Sequence, residues 1–256
     1  MKGTAKTELL ISIISHDQGD ELITLLNCIE KHCSKNLAVV VTLNVEEKLP
    51  FSKADYSFPL IIIENFLKPR GFSTNHNQAF ACMESDYFCV LNTDVYFSKD
   101  PFPCLIDAVA EEDIGVIAPL AYSTSDQLAD SARKLPTPFK LLQRRFIKRN
   151  EYLPSESFRY VDWVAGFFML FDSELFKKLC GFDEKYFLYC EDVDICSRIW
   201  LDGKKVAWAG GTIVYHEAKR RSHSQLYYLA RHIISMLRLF CSKVYYRRLY
   251  QKHGQR

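Results

Sequence analysis

Five carboxylates fall within twelve positions, Asp183, Glu184, Glu191, Asp192 and Asp194, among the rings of Trp163, Phe167, Phe168, Phe182, Tyr186, Phe187 and Tyr189. Taking a carboxylate out of water beside aromatic rings is costly unless something pairs with it, so acids in such company mark a candidate site. Two of them have a defined setting. Val193, Cys196, Ile199 and Trp200 recur at three- and four-residue steps, which predicts a helix over 191–201 with that face toward the core. Gly203 stands just past its end, where helices stop. Glu191 and Asp192 then occupy the first turn. Acids there complement the helix dipole and need no other reason. A carboxylate that opens a helix against aromatic walls is also placed to take a proton from a substrate hydroxyl.

Other candidates are dispersed. Asp94 follows the apolar run Tyr87–Leu91 in an Asn92-Thr93-Asp94 turn, and His216 ends a later apolar run. An acidic oxygen at the carboxyl end of a strand suits a hard divalent cation, although Asp in a turn is also ordinary turn chemistry. Asn75, His76 and Asn77 open a helix behind Gly71. Asparagines there serve as caps, and a glycine lets the backbone approach a neighbour or a ligand.

These positions require a scaffold that gathers them. Leu9–Ser15, Leu37–Leu43, Leu60–Ile63, Tyr87–Leu91 and Ile114–Pro119 are short apolar runs that read as buried strands. A helix begins at Asp20, with Leu22, Leu25, Leu26 and Ile29 on one face. Alternating strands and helices imply an α/β sheet covered on its faces. Ligands of such sheets bind at the carboxyl ends of the strands, where Asp17, Asn44 and Asn65 fall. Between Tyr122 and Phe158 the chain becomes irregular, with seven basic residues and no acid between Asp130 and Glu151: Arg133, Lys134, Lys140, Arg144, Arg145, Lys148 and Arg149. A charge run of that kind is ordinarily a solvated face.

Composition fits one large domain or a domain with an extension: 256 residues, 48% hydrophobic and 25% charged, enough to bury a full core. The nine cysteines form no CxxC pair, which speaks against a zinc ribbon or disulfide framework and for reduced thiols in a cytoplasmic setting. The N-terminal residues read as no signal peptide, and no apolar run is long enough to span a bilayer.

The stretch from Tyr160 to Ser222 closely resembles the inverting family-2 glycosyltransferases of GT-A fold, in particular their rhamnosyltransferase branch, which builds O-antigen and cell-wall polysaccharide. The matching residues are Asp162-Trp163, Gly166, Gly181-Phe182-Asp183-Glu184, Tyr186-Phe187, Glu191-Asp192-Val193-Asp194, Gly203 and His216. The resemblance implies a Rossmann-like GT-A domain over 1–222, with two abutting βαβ halves around a mixed, mainly parallel sheet. Residues 1–120 would form the nucleotide-sugar half, 121–222 the acceptor and catalytic half, and 223–256 a basic helical tail. It implies a nucleotide-sugar donor, with dTDP-rhamnose first and a UDP-hexose as the alternative, and a saccharide acceptor linked to a polyprenyl diphosphate. It also implies a Mg²⁺ or Mn²⁺ ion held by Asp94 and His216. Asp192 would be the base, with Glu191 as the near alternative. The donor nucleotide would lie against Asp17, Asn44, Asn65, Gly71, Phe72, Asn75, Asn77, Asn92 and Asp94, and the acceptor against Asp162, Trp163 and Gly166. Two positions depart from the family pattern: Leu43-Asn44 stands where relatives often have Asp-Asn, and Asn92 stands at the first acid of Asp-x-Asp. A reading from another class is a carbohydrate- or nucleotide-binding module without activity; retention of Glu191, Asp192 and Asp94 weighs against it.

The tail carries its own signal. From Ala218 to Arg256 there are ten Lys or Arg and no acid, so with a net charge of +2 the rest of the chain is +2 − 10 = −8. Leu226, Leu229, Ile233, Leu237, Phe240 and Val244 recur at helical spacing beside Arg231, Arg238, Lys243, Arg247 and Arg248. Such a basic amphipathic helix either lies on an anionic membrane surface, which would make the protein peripheral at the inner face of the cell membrane, or covers the sheet and exposes its charges. No nucleic acid is expected as a partner.

Overall fold

The computed structural model describes residues 6–33, 36–138, 151–152, 157–217 and 226–254. Lys140, Arg144, Arg145, Lys148 and Arg149 of the central basic run, and Lys219, Arg220, Arg221 and Arg256 of the tail, lie outside the described residues.

The apolar runs form β1 (Thr7–Ser15), β2 (Leu37–Leu43), β3 (Leu60–Glu64), β4 (Ser85–Asn92) and β6 (Ile114–Tyr122). Every position of β2 is buried, which explains a run without alternation: helices cover both faces of the sheet. Short strands β5 (Val95–Tyr96), β7 (Ala132–Arg133), β8 (Phe158–Tyr160) and β9 (Trp163–Val164) precede β10 (Phe168–Asp172) and the long β11 (Lys205–His216). The main sheet runs β3-β2-β1-β4-β10-β6-β11-β5, with β8 also paired to β11, while β7 and β9 pair separately. The β3-β2-β1-β4 and β6-β11 pairings are parallel, and β10 lies antiparallel between β4 and β6. The two halves therefore share one mixed, mainly parallel sheet.

The helices are α1 (Gly19–His32), α2 (Phe72–Phe80), α3 (Phe102–Glu111), α4 (Ser173–Lys178), α5 (Glu191–Leu201), α6 (Leu226–Phe240) and α7 (Lys243–Gly254). Side chains of a strand alternate between faces. Ile11 and Ile13 of β1 thus join Leu22, Leu25, Leu26 and Ile29 of α1 in one core, while Leu10 joins the other with Phe176 of α4 and Ile195 and Ile199 of α5. The helix predicted over 191–201 has those bounds. It buries Val193, Cys196 and Ile199 as expected; Trp200 is half-buried and donates its indole N–H to Val161 O at 3.1 Å.

The tail departs from a single sheet-covering helix in two ways. It breaks at Cys241-Ser242 into two helices, and the apolar stripe faces outward: Leu226 is 86% exposed, Leu237 61%, Ile233 51% and Leu229 47%. Residues of α6 and α7 that are buried are Ser235, Leu239, Tyr245 and Arg248. The four arginines expected to share a membrane face are also divided. Arg238 and Arg247 are exposed, Arg231 sits over the Phe187 ring at 4.3 Å, and Arg248 is buried over the Trp200 ring at 4.5 Å. The reason for Arg248 is Asp162, whose carboxylate it meets at 3.3 Å together with Lys252. A buried ion pair of this kind persists because removing one partner strands the other charge.

Candidate active site

The site lies where β4, the β9–β10 turn, α5 and the end of β11 meet. Hydrogen-bonded pairing of β11 with β5 sets His216 opposite Val95, and Glu217 N donates to Asp94 O at 3.2 Å. This brings His216 Nε2 within 3.3 Å of Asp94 Oδ1. The imidazole lies flat on the Phe167 ring, centroids 4.1 Å apart and planes 9° from parallel, which fixes its orientation. Asp94 Oδ1 is buried and accepts no hydrogen bond among the described residues. A buried carboxylate oxygen left so is expensive. An oxygen and an imidazole nitrogen converging there fit a divalent ion such as Mg²⁺ or Mn²⁺. No group of three or more His, Cys, Asp or Glu able to hold a metal exists among the described residues, so the chain offers two donors here. Asn92 lies at the β4 end, where its backbone N–H donates to Phe167 O at 2.9 Å.

Across the same turn stands Asp192. Gly166 N donates to its Oδ2 at 3.3 Å, and its Oδ1 accepts from Val193 N at 2.8 Å. Gly166 faces the Phe72 ring and the Asp192 Cβ, and a Cβ there would stand 3.3 Å from Phe72 Cζ, closer than an ordinary contact. The turn at 166–167 therefore holds the carboxylate through Gly166 and the imidazole through Phe167. Burial raises the Asp192 carboxyl above the usual range; the Val193 N–H, the Arg133 guanidinium and the Gly166 N–H oppose it. Glu191 is buried, and its pKa is pushed well up by that burial and then by the Asp192 charge. Its Oε2 has no hydrogen-bond partner among the described residues. Two carboxyls so close titrate as a pair. Burial favours the protonated form of both and more strongly of Glu191, and Asp192, half-buried, is the one of the pair that reaches solvent. Cys190, in the left-handed region at φ 68°, turns the chain into this helix, with Tyr189 at φ 71° before it.

On the donor side, the asparagines are brought together but spend their amides on the chain. Asn44 accepts from Arg70 N at 2.8 Å and donates to Arg70 O at 2.9 Å. Asn65 donates to Asn75 Oδ1 at 2.8 Å. Asn77 donates to Phe182 O at 2.9 Å and accepts from Phe182 N at 2.9 Å, which secures the turn after the left-handed Gly181. At Gly71 a Cβ would stand 2.6 Å from Phe187 O, the atom that accepts from Phe72 N at 2.8 Å. Ser73 adds a bond to Tyr186 O at 2.9 Å. The close approach that the glycine allows is thus to the chain's own 181–187 loop. Asp17, at φ 60°, lines a cleft of ≈ 580 Å³ with His16, Val45 and Glu46 at the carboxyl ends of β1 and β2.

Asp162 and Trp163 have structural partners. Besides Arg248 and Lys252, Asp162 accepts from Leu135 N at 2.8 Å, so both its oxygens are engaged by the chain. Asp162 thereby anchors α7. The Trp163 indole is buried, donates to Lys134 O at 2.9 Å and carries Arg133 at 4.9 Å over its ring. Sequence reasoning missed Arg133 as a neighbour of Asp192, and Glu47, which accepts from Ser15 Oγ at 2.9 Å and Gln18 N at 3.2 Å and braces the turn bearing Asp17. The Glu46-Glu47 pair three residues after a strand was the available signal.

Glycosyl transferase family 2 matches residues 50–179, half of the chain, and the chain belongs to that family. The rhamnosyltransferase WbbL of Escherichia coli (strain K12) is 30% identical over 173 residues, 60% of this chain and 63% of the relative. The N-acetylglucosaminyl-diphospho-decaprenol L-rhamnosyltransferase of Mycobacterium tuberculosis (strain CDC 1551 / Oshkosh) is 28% identical over 165 residues, 57% of this chain and 52% of the relative. Each match thus spans less than two thirds of the curated relative. Among solved structures, GalNAc-T7 with UDP, GalNAc and Mn²⁺ superposes with a TM-score of 0.64 at 15% identity, covering 83% of this chain and 44% of that one. The mannosyltransferase PcManGT of Pyrobaculum calidifontis with GDP-Man and Mn²⁺ gives 0.61 at 17% identity, covering 91% and 63%. The fold is the α/β GT-A type.

Proposed function

We propose that the chain transfers a sugar, L-rhamnose from dTDP-rhamnose, to a hydroxyl of a saccharide carried on a polyprenyl diphosphate, with inversion at the anomeric carbon. The observation that carries this reading is one turn, 166–167, which holds a raised-pKa carboxylate at Asp192 on one side and the Asp94–His216 pair on the other. The names of the two relatives support the sugar, and one of them names a decaprenol-linked diphosphate. The family match ends at residue 179, so the base assignment rests on the geometry and on the resemblance of the later stretch.

The acceptor hydroxyl gives its proton to Asp192 as its oxygen bonds to the anomeric carbon, while the bond from that carbon to the nucleoside diphosphate breaks on the opposite face. The raised pKa suits this: an ionised carboxylate with a raised pKa is a better base than a free Asp. Burial works against a second charge on Glu191 behind it. Asp94 and His216 would hold the divalent ion, which when bound offsets the negative charge building on the leaving diphosphate. Phe167 keeps His216 in place, and Phe72 closes the wall behind Gly166. No helix among the described residues is long and apolar enough to cross a membrane. A lipid-linked acceptor would hold the enzyme peripherally at the inner face of the cell membrane.

The test offers the purified chain dTDP-rhamnose and UDP-hexoses with a lipid-diphosphate saccharide. Transfer from dTDP-rhamnose that chelator abolishes and Mg²⁺ or Mn²⁺ restores is expected. Asp94→Ala should lose more than about a hundredfold in turnover, since charge stabilisation of this kind is worth several kcal/mol. Transfer from a UDP-hexose instead would move the donor assignment, and full activity in excess chelator would remove the ion. Donor binding without transfer or hydrolysis would leave a binding module.

A further inference from the structure

We propose that α6 is a two-faced coupling element, with an outward face that docks on an anionic lipid surface and an inward face that grips the loop leading into Glu191 and Asp192. The outward stripe is Leu226, Leu229, Ile233 and Leu237, at steps that keep them on one side of the helix, with Ile234 53% exposed beside them. A contiguous apolar surface of this kind marks an interaction site. Arg238, Lys243 and Arg247 are exposed along α6 and α7, together with Tyr246 and Tyr250. Apolar side chains flanked by basic residues and tyrosines are the composition of a helix lying in a membrane interface.

Charge selects the occupant. Neither α6 nor α7 carries an acid; Arg238, Lys243 and Arg247 are exposed there, while Arg248 and Lys252 are taken by Asp162. A second copy docking through the same face would bring like charges together, because a two-fold interface opposes a surface to itself. An anionic bilayer complements it.

The inward face reaches the loop at five points. Arg238 donates to Lys185 O; Arg231 stacks on Phe187 at 4.3 Å; Ser235 Oγ donates to Leu188 O at 2.7 Å. His232 meets the Tyr189 ring edge-on at 4.9 Å, and Cys190 Sγ approaches Met236 Sδ at 3.3 Å. The last two loop residues are the left-handed pair before Glu191. Docking α6 therefore fixes the segment that aims the two carboxyls.

The proposal rests on the transferase reading for its purpose, while its test needs neither donor nor acceptor. Purified chain is sedimented with vesicles of phosphatidylcholine and phosphatidylglycerol, at low salt and at about 1 M salt, where charge interactions are cut to a range of about 3 Å. Wild type is expected to bind at low salt and to keep a measurable bound fraction at high salt. Leu229→Glu with Ile233→Glu should lose more than about tenfold in partitioning at both. Leu226→Ser with Leu237→Ser, a milder change at equally exposed positions, should do the same in a protein of unchanged circular dichroism. Wild type left in the supernatant overturns the proposal. So does binding by either variant equal to wild type, or a vesicle-free dimer that both variants dissolve, which would make a second copy the occupant. Intact sugar transfer with no vesicle binding defeats this proposal alone; vesicle binding with no transfer defeats the transferase reading alone.

Discussion

The donor-side asparagines and the carboxylates of the β4–α5 end treat polarity in opposite ways. Asn44, Asn65, Asn75 and Asn77 are surrounded by partners from the chain, and each amide is tied to a backbone group or another amide. Asp94 and Glu191 each keep one buried oxygen with no hydrogen bond among the described residues. Buried polar atoms are normally satisfied, so each exception needs a reason. The contrast teaches that one region spends its polar groups on holding a loop, while the other keeps carboxyl oxygens buried without hydrogen bonds from the described residues.

The strongest test of this contrast is Asp192→Asn, which should lower turnover by about two to four decades, the range of a general base, and leave donor affinity nearly unchanged. Turnover near wild type would take the base away from Asp192, and Glu191→Gln in the same assay would show where it went. A second test bears on the architectural side. Asn77→Ala removes the bonds to Phe182 N and O and should cost about 1–3 kcal/mol of stability, read as a shift in denaturant midpoint. Donor affinity lost with no loss of stability would make Asn77 a ligand contact and erase the contrast.

The smallest effect sharpens the carboxylate side. Burial raises the folded-state pKa of Glu191. Between its unfolded and folded pKa values the native chain binds more protons, so stability falls as pH rises through that window. Glu191→Gln removes this slope. The variant should match wild type at about pH 4, near the free-carboxyl pKa, and be the more stable of the two near neutrality. A variant equally unstable at both pH values would mean that Glu191 is ionised in the folded protein.

Much of the scaffold could be read from local patterns. β2 and α5 have the bounds expected, because a fully buried strand is apolar throughout and a helix packed on one side repeats its apolar residues. The insertion of β10 between β4 and β6 could not be read, since strand order is decided by contacts far apart in sequence. The same limit hid the pairing of Arg133 with Trp163 and of Asp162 with Arg248. The tail stayed open between two readings for a different reason: a helical apolar stripe announces a face that avoids water without saying which neighbour covers it. Leu239 and Tyr245, which the stripe omitted, are the ones that pack inward.

The bonds between α2 and the 181–187 loop carry a consequence for recombination. Phe72 N, Ser73, Thr74 and Asn77 on the first half all reach atoms of 182–187 on the second. A chimaera cut near residue 120 and joined to a relative's second half would pair a helix and a loop with no shared history, although the sheet strands themselves would still fit. Grafting α2 together with the loop should restore such a hybrid, whereas grafting either alone should not. Successful folding of hybrids in this scaffold is thus expected to follow the stitched pair rather than the chain's midpoint.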